Sequence, residues 1–319
     1  MLAAGSRSAL VNKVAPATKL RDALHAPHPP GPRTSPQRAR LRTHPHVGHV
    51  ALAYIFVAVA TLLILLPLWT MLVASVSPLS QLYGSGIPLW PSSFHFDSFV
   101  KAWNAAPFGR YYVNSVLVTM VILAFQLTTC SMAAYALAFF RSRAGKVIYG
   151  VVLLALFVPT QVIFVAAYIL MKDFGWINSY QALIVPFATS AFGIFFLTQS
   201  FKSFPFELIE SARVDGSGHV RALWSMVLPN MKPALAALAV INGVFHYNYF
   251  FWPLVITNTY QYRVLPVGLA MMAAQSGGDQ LVPWNQVMAA DAFTMIPLMV
   301  LFVLTQKWMV RGVARTGLR

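Results

Sequence analysis

The sequence predicts an all-α, polytopic membrane protein with six transmembrane helices. Hydrophobic residues make up 58% of the 319 positions and charged residues only 10%, a composition typical of integral membrane proteins. Six apolar stretches are each long enough for a helix to cross about 30 Å of hydrocarbon. Because the bilayer core offers the backbone no hydrogen-bond partners, each stretch is expected to be helical. The predicted spans are 50–76, 113–140, 147–171, 182–201, 234–257 and 287–310.

Five of the six predicted spans contain a proline. Proline lacks a backbone donor and clashes with the carbonyl four residues earlier, so we expect a kink at each one. Kinked spans are common where helices move or line a cavity, although helix packing alone also accounts for them. The prolines are Pro67, Pro159, Pro186, Pro253 and Pro297.

The basic residues indicate the orientation of the chain. Of the 23 Lys and Arg residues, 19 fall in the two termini and in the connections that share their side of the membrane. The positive-inside rule therefore predicts that both termini and the segment between spans four and five are cytoplasmic. Topology explains the net charge of +15 better than nucleic-acid binding does.

The regions outside the spans differ in composition. Residues 1–49 are rich in proline and basic residues and predict a disordered cytoplasmic tail. No acidic or cysteine ligand accompanies the tail histidines His44, His46 and His49, so no metal site is assigned. The outer connections, 77–112 and 258–286, contain Trp and Tyr residues typical of membrane-interface anchors or of a partner surface. Cys130 is the only cysteine and is predicted to pack in the core.

Residues 201–233 are too polar to span a membrane, and they contain helix start and end signals that an irregular loop would lack. Ser203 and Pro205 suit a helix start, and Gly216 suits its end because glycine readily adopts positive φ. A second short helix is predicted at about 218–227, ended by Pro229 and Pro233.

The first predicted helix of this insert has a polar and an apolar side. Glu207 and Glu210 complement the positive end of the helix dipole. Leu208, Ile209 and Ala212 form an apolar face at helical spacing. From periodicity alone, an amphipathic hairpin lying on the membrane surface is an alternative.

The insert resembles the cytoplasmic signature of the permease subunits of binding-protein-dependent ABC importers. The matching positions are Glu210, Ser211, Ala212, Gly216, Met226, Leu228 and Pro229, with Ser211 where alanine is usual and Met226 where isoleucine is common. The resemblance runs from about residue 107 to the C-terminus and is greatest to the maltose-type second permease of the carbohydrate branch. Further matching motifs lie at 107–111, 114–115, 133–136, 248–254, 265–269 and 306–312.

The resemblance implies a type I ABC importer permease fold with a cytoplasmic coupling helix in the plasma membrane of a prokaryote. Its transmembrane domain would be residues 113–310, with the coupling region at 203–229, preceded by a first helix and extracytoplasmic segment at 50–112 and followed by a cytoplasmic tail at 311–319. The ATPase-coupling residues would be Glu210, Ser211, Ala212, Asp215, Gly216, Leu228 and Pro229.

The same resemblance implies partners and a cargo. The partners would be a homologous second permease, two copies of an ABC ATPase that binds ATP and Mg, an extracytoplasmic sugar-binding protein, and membrane lipid. The cargo would be a sugar of the di- or oligosaccharide class, with another polyol or a glycerol phosphate ester as the alternative. In the maltose-type systems the sister permease supplies the main sugar pocket.

Nothing in the sequence predicts catalysis on this chain. Residues 215–218 (Asp-Gly-Ser-Gly) lack the lysine and the preceding strand of a phosphate-binding loop, and H-E-x-x-H and G-x-S-x-G are also missing. A stand-alone secondary transporter is a competing hypothesis; it would show an inverted repeat, which we do not see. A membrane-embedded enzyme would need catalytic groups clustered at one depth.

Polar residues inside apolar spans are the candidates for a translocation pathway, since they tend to face protein or water. They are Gln126, Gln161, Asn242, His246, Asn248 and Asp291. The fifth span combines three of them with aromatic rings, which suits the hydroxyls and the apolar CH face of a sugar. The predicted pathway residues are Asn242, His246, Asn248, Trp252 and Asp291, with hydrogen bonding between helices as the alternative for each.

Overall fold

The computed structural model describes residues 47–84, 86, 88–140, 142–275 and 281–316, and these ranges contain helices but no strand. The predicted N-terminal tail up to residue 46, with His44 and His46, lies outside the described residues. The chain divides into a unit of residues 1–58 and a unit of residues 59–319. Helix α1 (Val47–Val76) contains the division between them. The site described below belongs to the second unit.

In the described part of the chain, four helical segments are long and apolar enough to cross a membrane: Val50–Val76, Phe108–Phe139, Tyr180–Phe201 and Trp284–Lys307. The short helices α2 (Leu79–Leu82) and α3 (Asp97–Ala105) follow α1. Next comes α4 (Phe108–Phe139), and the last helix, α15, is Trp284–Thr316. Two bent helix pairs raise the number of possible spans to six, in agreement with the predicted membrane-spanning fold.

The predicted third span is broken rather than kinked. Helices α5 (Arg143–Ala155) and α6 (Thr160–Asp173) meet at 102°. Pro159 would place its ring against the carbonyl of Ala155 in a continuous helix, and α5 ends at that residue. The break exposes Phe157 and leaves the start of α6 as a separate helix N-terminus.

The predicted fourth span is assembled from three pieces. They are α7 (Tyr180–Ile184), a 3₁₀ turn (Val185–Phe187) and α8 (Ala191–Phe201). Pro186 lies in the first turn of the 3₁₀ helix, where a missing N–H is tolerated. Ser190 caps the N-terminus of α8, and its Oγ accepts a hydrogen bond from Gly193 N at 3.1 Å.

The predicted fifth span, 234–257, is also broken and not merely kinked at its proline. Helix α12 (Lys232–Tyr247) ends early, residues 248–250 leave the helix, and α13 (Phe251–Ile256) follows. Pro253 supplies the reason, since its ring would clash with the carbonyl of Tyr249. By contrast, α1 and α15 continue through Pro67 and Pro297, where the loss of one hydrogen bond does not end the helix.

The connection from 257 to 264 is held against α4 by side-chain hydrogen bonds. Asn114 Nδ2 donates to the carbonyls of Gln261 and Arg263, each at 2.8 Å. Tyr180 Oη donates to Asn114 Oδ1 at 2.7 Å, so one buried amide joins three segments. Helix α14 (Leu265–Gln275) begins beyond this connection.

Cys130 packs in the core as predicted. It is fully buried on α4, and its Sγ lies 3.5 Å from the carbonyl of Ser190. A Cβ at Gly193 would lie 2.9 Å from that sulfur, so α4 and α8 are in close contact. These two helices position the cavity described next.

Candidate functional site

A cavity of about 570 Å³ lies where three spans break. The break between α5 and α6, the turn between α7 and α8, and the end of α12 all contribute to its wall. Its volume is within the range of pockets for small molecules. The lining includes Ala155, Thr160, Phe164, Pro186, Phe187, Ser190 and Phe192 from the breaks, together with Gln126, Asn242, His246 and Trp252.

One hydrogen-bonded network forms the polar part of this wall. Gln126 Nε2 donates to the carbonyl of Phe187 at 2.8 Å and lies 2.9 Å from His246 Nε2. Asn242 Nδ2 donates to Gln126 Oε1 at 2.7 Å. Gln126 and Asn242 are both buried and His246 is half-buried, so the network joins α4, α12 and the 3₁₀ turn within the protein.

Aromatic rings form much of the remaining wall. The ring of Phe187 packs against those of His246, Tyr249 and Trp252, with centroids 5.4, 5.5 and 6.2 Å apart. Trp252 Nε1 donates to the carbonyl of Ala182 at 2.9 Å, which satisfies its one donor. The rings therefore offer apolar faces beside the amide groups, an arrangement suited to a molecule with both hydroxyl and CH surfaces.

The structure brings together three of the five predicted pathway residues. Asn242, His246 and Trp252 line the cavity. Asn248 is exposed outside the cavity lining, and its Nδ2 donates to the carbonyl of Val244 at 3.0 Å. Asp291 is half-buried on α15, and its Oδ1 accepts from Thr294 Oγ1 at 3.0 Å. The pathway roles of all five residues stay predictions.

The predicted pathway does not include Gln126, which is the centre of the network, or Phe187 and Thr160. The sequence marks Gln126 only as a polar residue in an apolar span. The signal that could have found the other two is their position next to Pro186 and Pro159, because a proline break frees backbone and side chains to face a cavity. Gln161 is exposed and lies outside the lining.

The polar insert begins with α9 (Phe206–Val214), which ends as predicted at a glycine of positive φ. Gly216 has φ +82°, and its N–H donates to the carbonyl of Arg213 at 3.0 Å. Ser217 N donates to the carbonyl of Ala212 at 2.8 Å, which completes a Schellman motif. The helix and its end thus present a fixed shape.

Helix α9 buries only part of its predicted apolar face. Ile209 and Ala212 of the predicted apolar face are buried, whereas Leu208 is 47% exposed. Leu208 therefore lies next to the buried residues of α9 and not among them. Val214, at the end of the helix, is 88% exposed. Of the predicted coupling residues, Ala212 is buried, Leu228 is half-buried, and Glu210, Ser211, Asp215, Gly216 and Pro229 are exposed.

The second helix of the insert runs further than predicted. It consists of α10 (His219–Ala222), a π turn (Leu223–Val227) and α11 (Leu228–Asn230), and it meets α12 at 81°. Pro229 lies within α11, so the helix does not end before it as predicted.

The insert is packed firmly onto the spans. Its buried side chains Ile209, Ala222, Leu223 and Val227 belong to one apolar cluster with residues of α4, α8 and α12, among them Tyr135, Phe139, Leu197, Phe201 and Leu238. A displacement of the insert would therefore move these helices with it, since packed interiors deform little.

No group of three or more His, Cys, Asp or Glu side chains in the described ranges could hold a metal ion.

Two transport permeases align with this chain over nearly the whole of their own length. The sn-glycerol-3-phosphate transport system permease protein UgpE of Yersinia pestis is 33% identical over 265 residues, covering 81% of this chain and 94% of that protein. The arabinooligosaccharides transport system permease protein AraQ of Halalkalibacterium halodurans is 29% identical over 290 residues, covering 90% and 99%.

The fold also matches a solved structure. A chain of a bacterial ABC transporter involved in the import of the acidic polysaccharide alginate superposes with a TM-score of 0.72 at 21% identity, covering 82% of this chain and 96% of that chain. A chain of the bacterial alginate ABC transporter, in complex with a periplasmic protein bound to an alginate pentasaccharide, gives 0.59 at 17% identity, covering 81% and 93%. Residues 126–315 match the family model for the binding-protein-dependent transport system inner membrane component. With more than half of its length matched in this way, the chain belongs to that family of transport permeases.

Proposed function

We propose that this chain is the second permease of an ATP-driven importer that carries a neutral sugar, a di- or oligosaccharide, into the cytoplasm by alternating access. Family membership makes it a non-catalytic, multi-pass membrane permease, which decides against a stand-alone transporter and a membrane-embedded enzyme. The single observation that carries the sugar assignment is the cavity at the three helix breaks.

The chemistry of the cavity wall supports a neutral polyhydroxylated cargo. Gln126, Asn242 and His246 supply uncharged hydrogen-bonding groups, and Phe187 and Trp252 supply apolar faces. The described residues that line the cavity include neither Lys nor Arg. Transfer of an anion into such a site without a counter-charge is expensive, so a neutral solute is favoured.

A glycerol phosphate ester is the second candidate. It is supported by the name of the Yersinia pestis relative and by the N-termini of α6 and α8, both of which border the cavity. Helix N-termini favour negative charge, but each contributes only a fraction of an elementary charge. A phosphate dianion needs more compensation than two helix ends provide, and for this reason the sugar is preferred.

The exposed end of α9 is the proposed contact for the ATPase, with the coupling roles as predicted for Glu210 to Gly216 and for Leu228 and Pro229. Glu210 offers a directional carboxylate, and Leu208 and Val214 offer exposed apolar surface beside it. The packing of the insert onto α4, α8 and α12 would transmit closure of two ATPase copies to the cavity.

The assembly follows from the same proposal. The insert and both termini face the cytoplasm, where the ATPase binds ATP and Mg. A homologous second permease completes the pathway within the lipid, and an extracytoplasmic sugar-binding protein delivers the solute. The structure of the alginate transporter in complex with a periplasmic protein that holds an alginate pentasaccharide supports this arrangement.

The test is uptake by the native complex, isolated through an affinity tag on this chain and reconstituted into vesicles with ATP inside. Neutral oligosaccharides and sn-glycerol-3-phosphate are offered separately, with the purified chain alone as the control. We expect uptake of a neutral sugar that requires ATP and the accompanying subunits. Uptake of the phosphate ester alone would overturn the sugar assignment, and uptake by the isolated chain would overturn the coupling proposal.

A further inference from the structure

A second, very small void lies next to the cavity. It measures about 10 Å³, and three residues, Phe187, His246 and Trp252, line both spaces. These three side chains therefore form a shared wall. The void continues from this wall toward Ser115 and Val264.

Two buried polar atoms of the residues around this void have no hydrogen-bond partner in the described part of the chain. They are Nδ1 of His246 and Oη of Tyr249. Buried polar groups are almost always paired with protein or with ordered water. Because both atoms belong to residues that line one void, they point to an occupant with polar character.

The hydrogen bonds on the cavity side determine which ring nitrogen of His246 carries the proton. The carbonyl of Phe187 can only accept, so the Gln126 atom at 2.8 Å from it must be the amide nitrogen. The same nitrogen lies 2.9 Å from His246 Nε2, which must then be the unprotonated acceptor. The proton of the neutral ring consequently resides on Nδ1, and the unpaired atom is an N–H donor.

The size and polarity of the void select the occupant. A space of about 10 Å³ is close to the lower limit for one water and far too small for a sugar. An N–H donor disfavours a cation, and the described lining contains no carboxylate that could hold one. Tyr249 and the buried Thr119, which also lines the void, each add a hydroxyl able to donate or accept.

We infer that the void is a binding site for a single water molecule that accepts from His246 Nδ1 and bonds to Tyr249 Oη. The water completes a polar chain that runs from Asn242 through Gln126 and His246 to Tyr249, across the shared wall. By holding Nδ1, it keeps the other ring nitrogen turned toward Gln126. The water thus positions the polar groups of the cavity.

The direction in which Tyr249→Phe shifts the thermal unfolding midpoint tests this inference. Tyr249→Phe removes a partner of the water, so we expect the unfolding midpoint of the purified native complex to fall by about 1–3 °C. Tyr247→Phe is the matched control, because Tyr247 Oη is also buried and unpaired but Tyr247 does not line the void. Loss of an orphaned hydroxyl at Tyr247 should leave the midpoint unchanged or raise it.

A midpoint for Tyr249→Phe that rises as the control does would show a dry void and overturn the inference. The second measurement is a high-resolution structure of the native complex. Density for one water within about 3 Å of both His246 Nδ1 and Tyr249 Oη is expected. An empty void in that map would also overturn the inference, whatever solute the complex carries.

Discussion

Tyr135 Oη and His219 Nδ1 lie 3.2 Å apart, and this contact joins the far end of α4 to the first turn of α10. The His219 ring also packs edge-on against Phe140, with centroids 4.6 Å apart. The insert thus reaches α4 through a polar and an aromatic contact. Both lie just beyond the glycine that ends α9, so they are placed to transmit a displacement of the insert.

Tyr135→Phe and His219→Phe are expected to lower solute uptake per ATP hydrolysed by a few-fold. Each change removes one hydrogen bond worth about 1 kcal/mol while it keeps an aromatic ring in place. The measurement is uptake and ATPase activity of the reconstituted native complex. The double variant serves as control: if the residues act as a pair, it should cost no more than either single change. Additive losses would contradict a direct coupling between them.

Two substitutions of Gly216 distinguish a need for its backbone conformation from a need for close approach of the ATPase. Its φ of +82° costs a β-branched residue about 1–2 kcal/mol, whereas asparagine tolerates this region. No atom of the described residues lies within 4 Å of a Cβ built there, so the expected cost is one of backbone conformation. Gly216→Val should uncouple ATP hydrolysis from uptake, and Gly216→Asn should retain most of the coupling.

If Gly216→Asn fails as completely as Gly216→Val, the glycine is needed for close approach of the ATPase and not for its backbone conformation. Normal uptake by both variants would remove Gly216 from the coupling surface. Membrane insertion of each variant is checked by its yield in the purified complex.

Glu210→Lys is expected to uncouple transport without loss of membrane insertion. Glu210 is exposed on α9, so the reversal of its charge leaves the fold intact but repels a basic partner group. Glu207→Lys is the matched control, since Glu207 is exposed on the same helix and undergoes the same charge change. Uptake at least ten-fold lower for Glu210→Lys than for Glu207→Lys would be consistent with docking at Glu210. Equal uptake by both variants and the unchanged protein would reject it.

The conformational preferences of glycine and proline predicted where helices end better than they predicted the angles between consecutive helices. The glycine end of α9 follows from the conformational freedom of one residue, and the structure confirms it. The positions of the breaks at Pro159 and Pro253 follow equally from the clash of a proline ring with a carbonyl. The same chemistry at Pro67 and Pro297 leaves the helix continuous, because the surrounding packing decides whether a weakened turn opens.

The composition of the cavity could not be read from the sequence for a different reason. Gln126 and Asn242 are 116 positions apart, and only the packing of α4 against α12 brings them to 2.7 Å. Periodicity placed Leu208, Ile209 and Ala212 on one apolar face, but only Ile209 and Ala212 are buried. Contacts between distant elements, which no local pattern records, determine both results.

Gln126→Leu tests the importance of the buried network. Leucine fills a similar volume but leaves Asn242 Nδ2, His246 Nε2 and the carbonyl of Phe187 without their present partner. We expect a loss of about 1–2 kcal/mol in unfolding free energy and a reduced rate of uptake. Gln161→Leu is the control, because Gln161 is exposed and outside the cavity, and its effect should be within about 0.5 kcal/mol. Equal stability of the two variants would show that the network contributes nothing.

Gly268 and Gly150 should respond to alanine with opposite signs. A Cβ at Gly268 in α14 would lie 2.3 Å from the ring of Tyr111, a buried side chain that cannot easily move aside. Overpacking of this kind costs about 1–3 kcal/mol, so Gly268→Ala should lower the unfolding midpoint. A Cβ at Gly150 in α5 would have no atom of the described residues within 4 Å, and alanine is the better helix former by about 0.5–1 kcal/mol. Gly150→Ala should therefore raise the midpoint. A stable Gly268→Ala variant would mean that α14 does not approach α4 as closely as the structure places it.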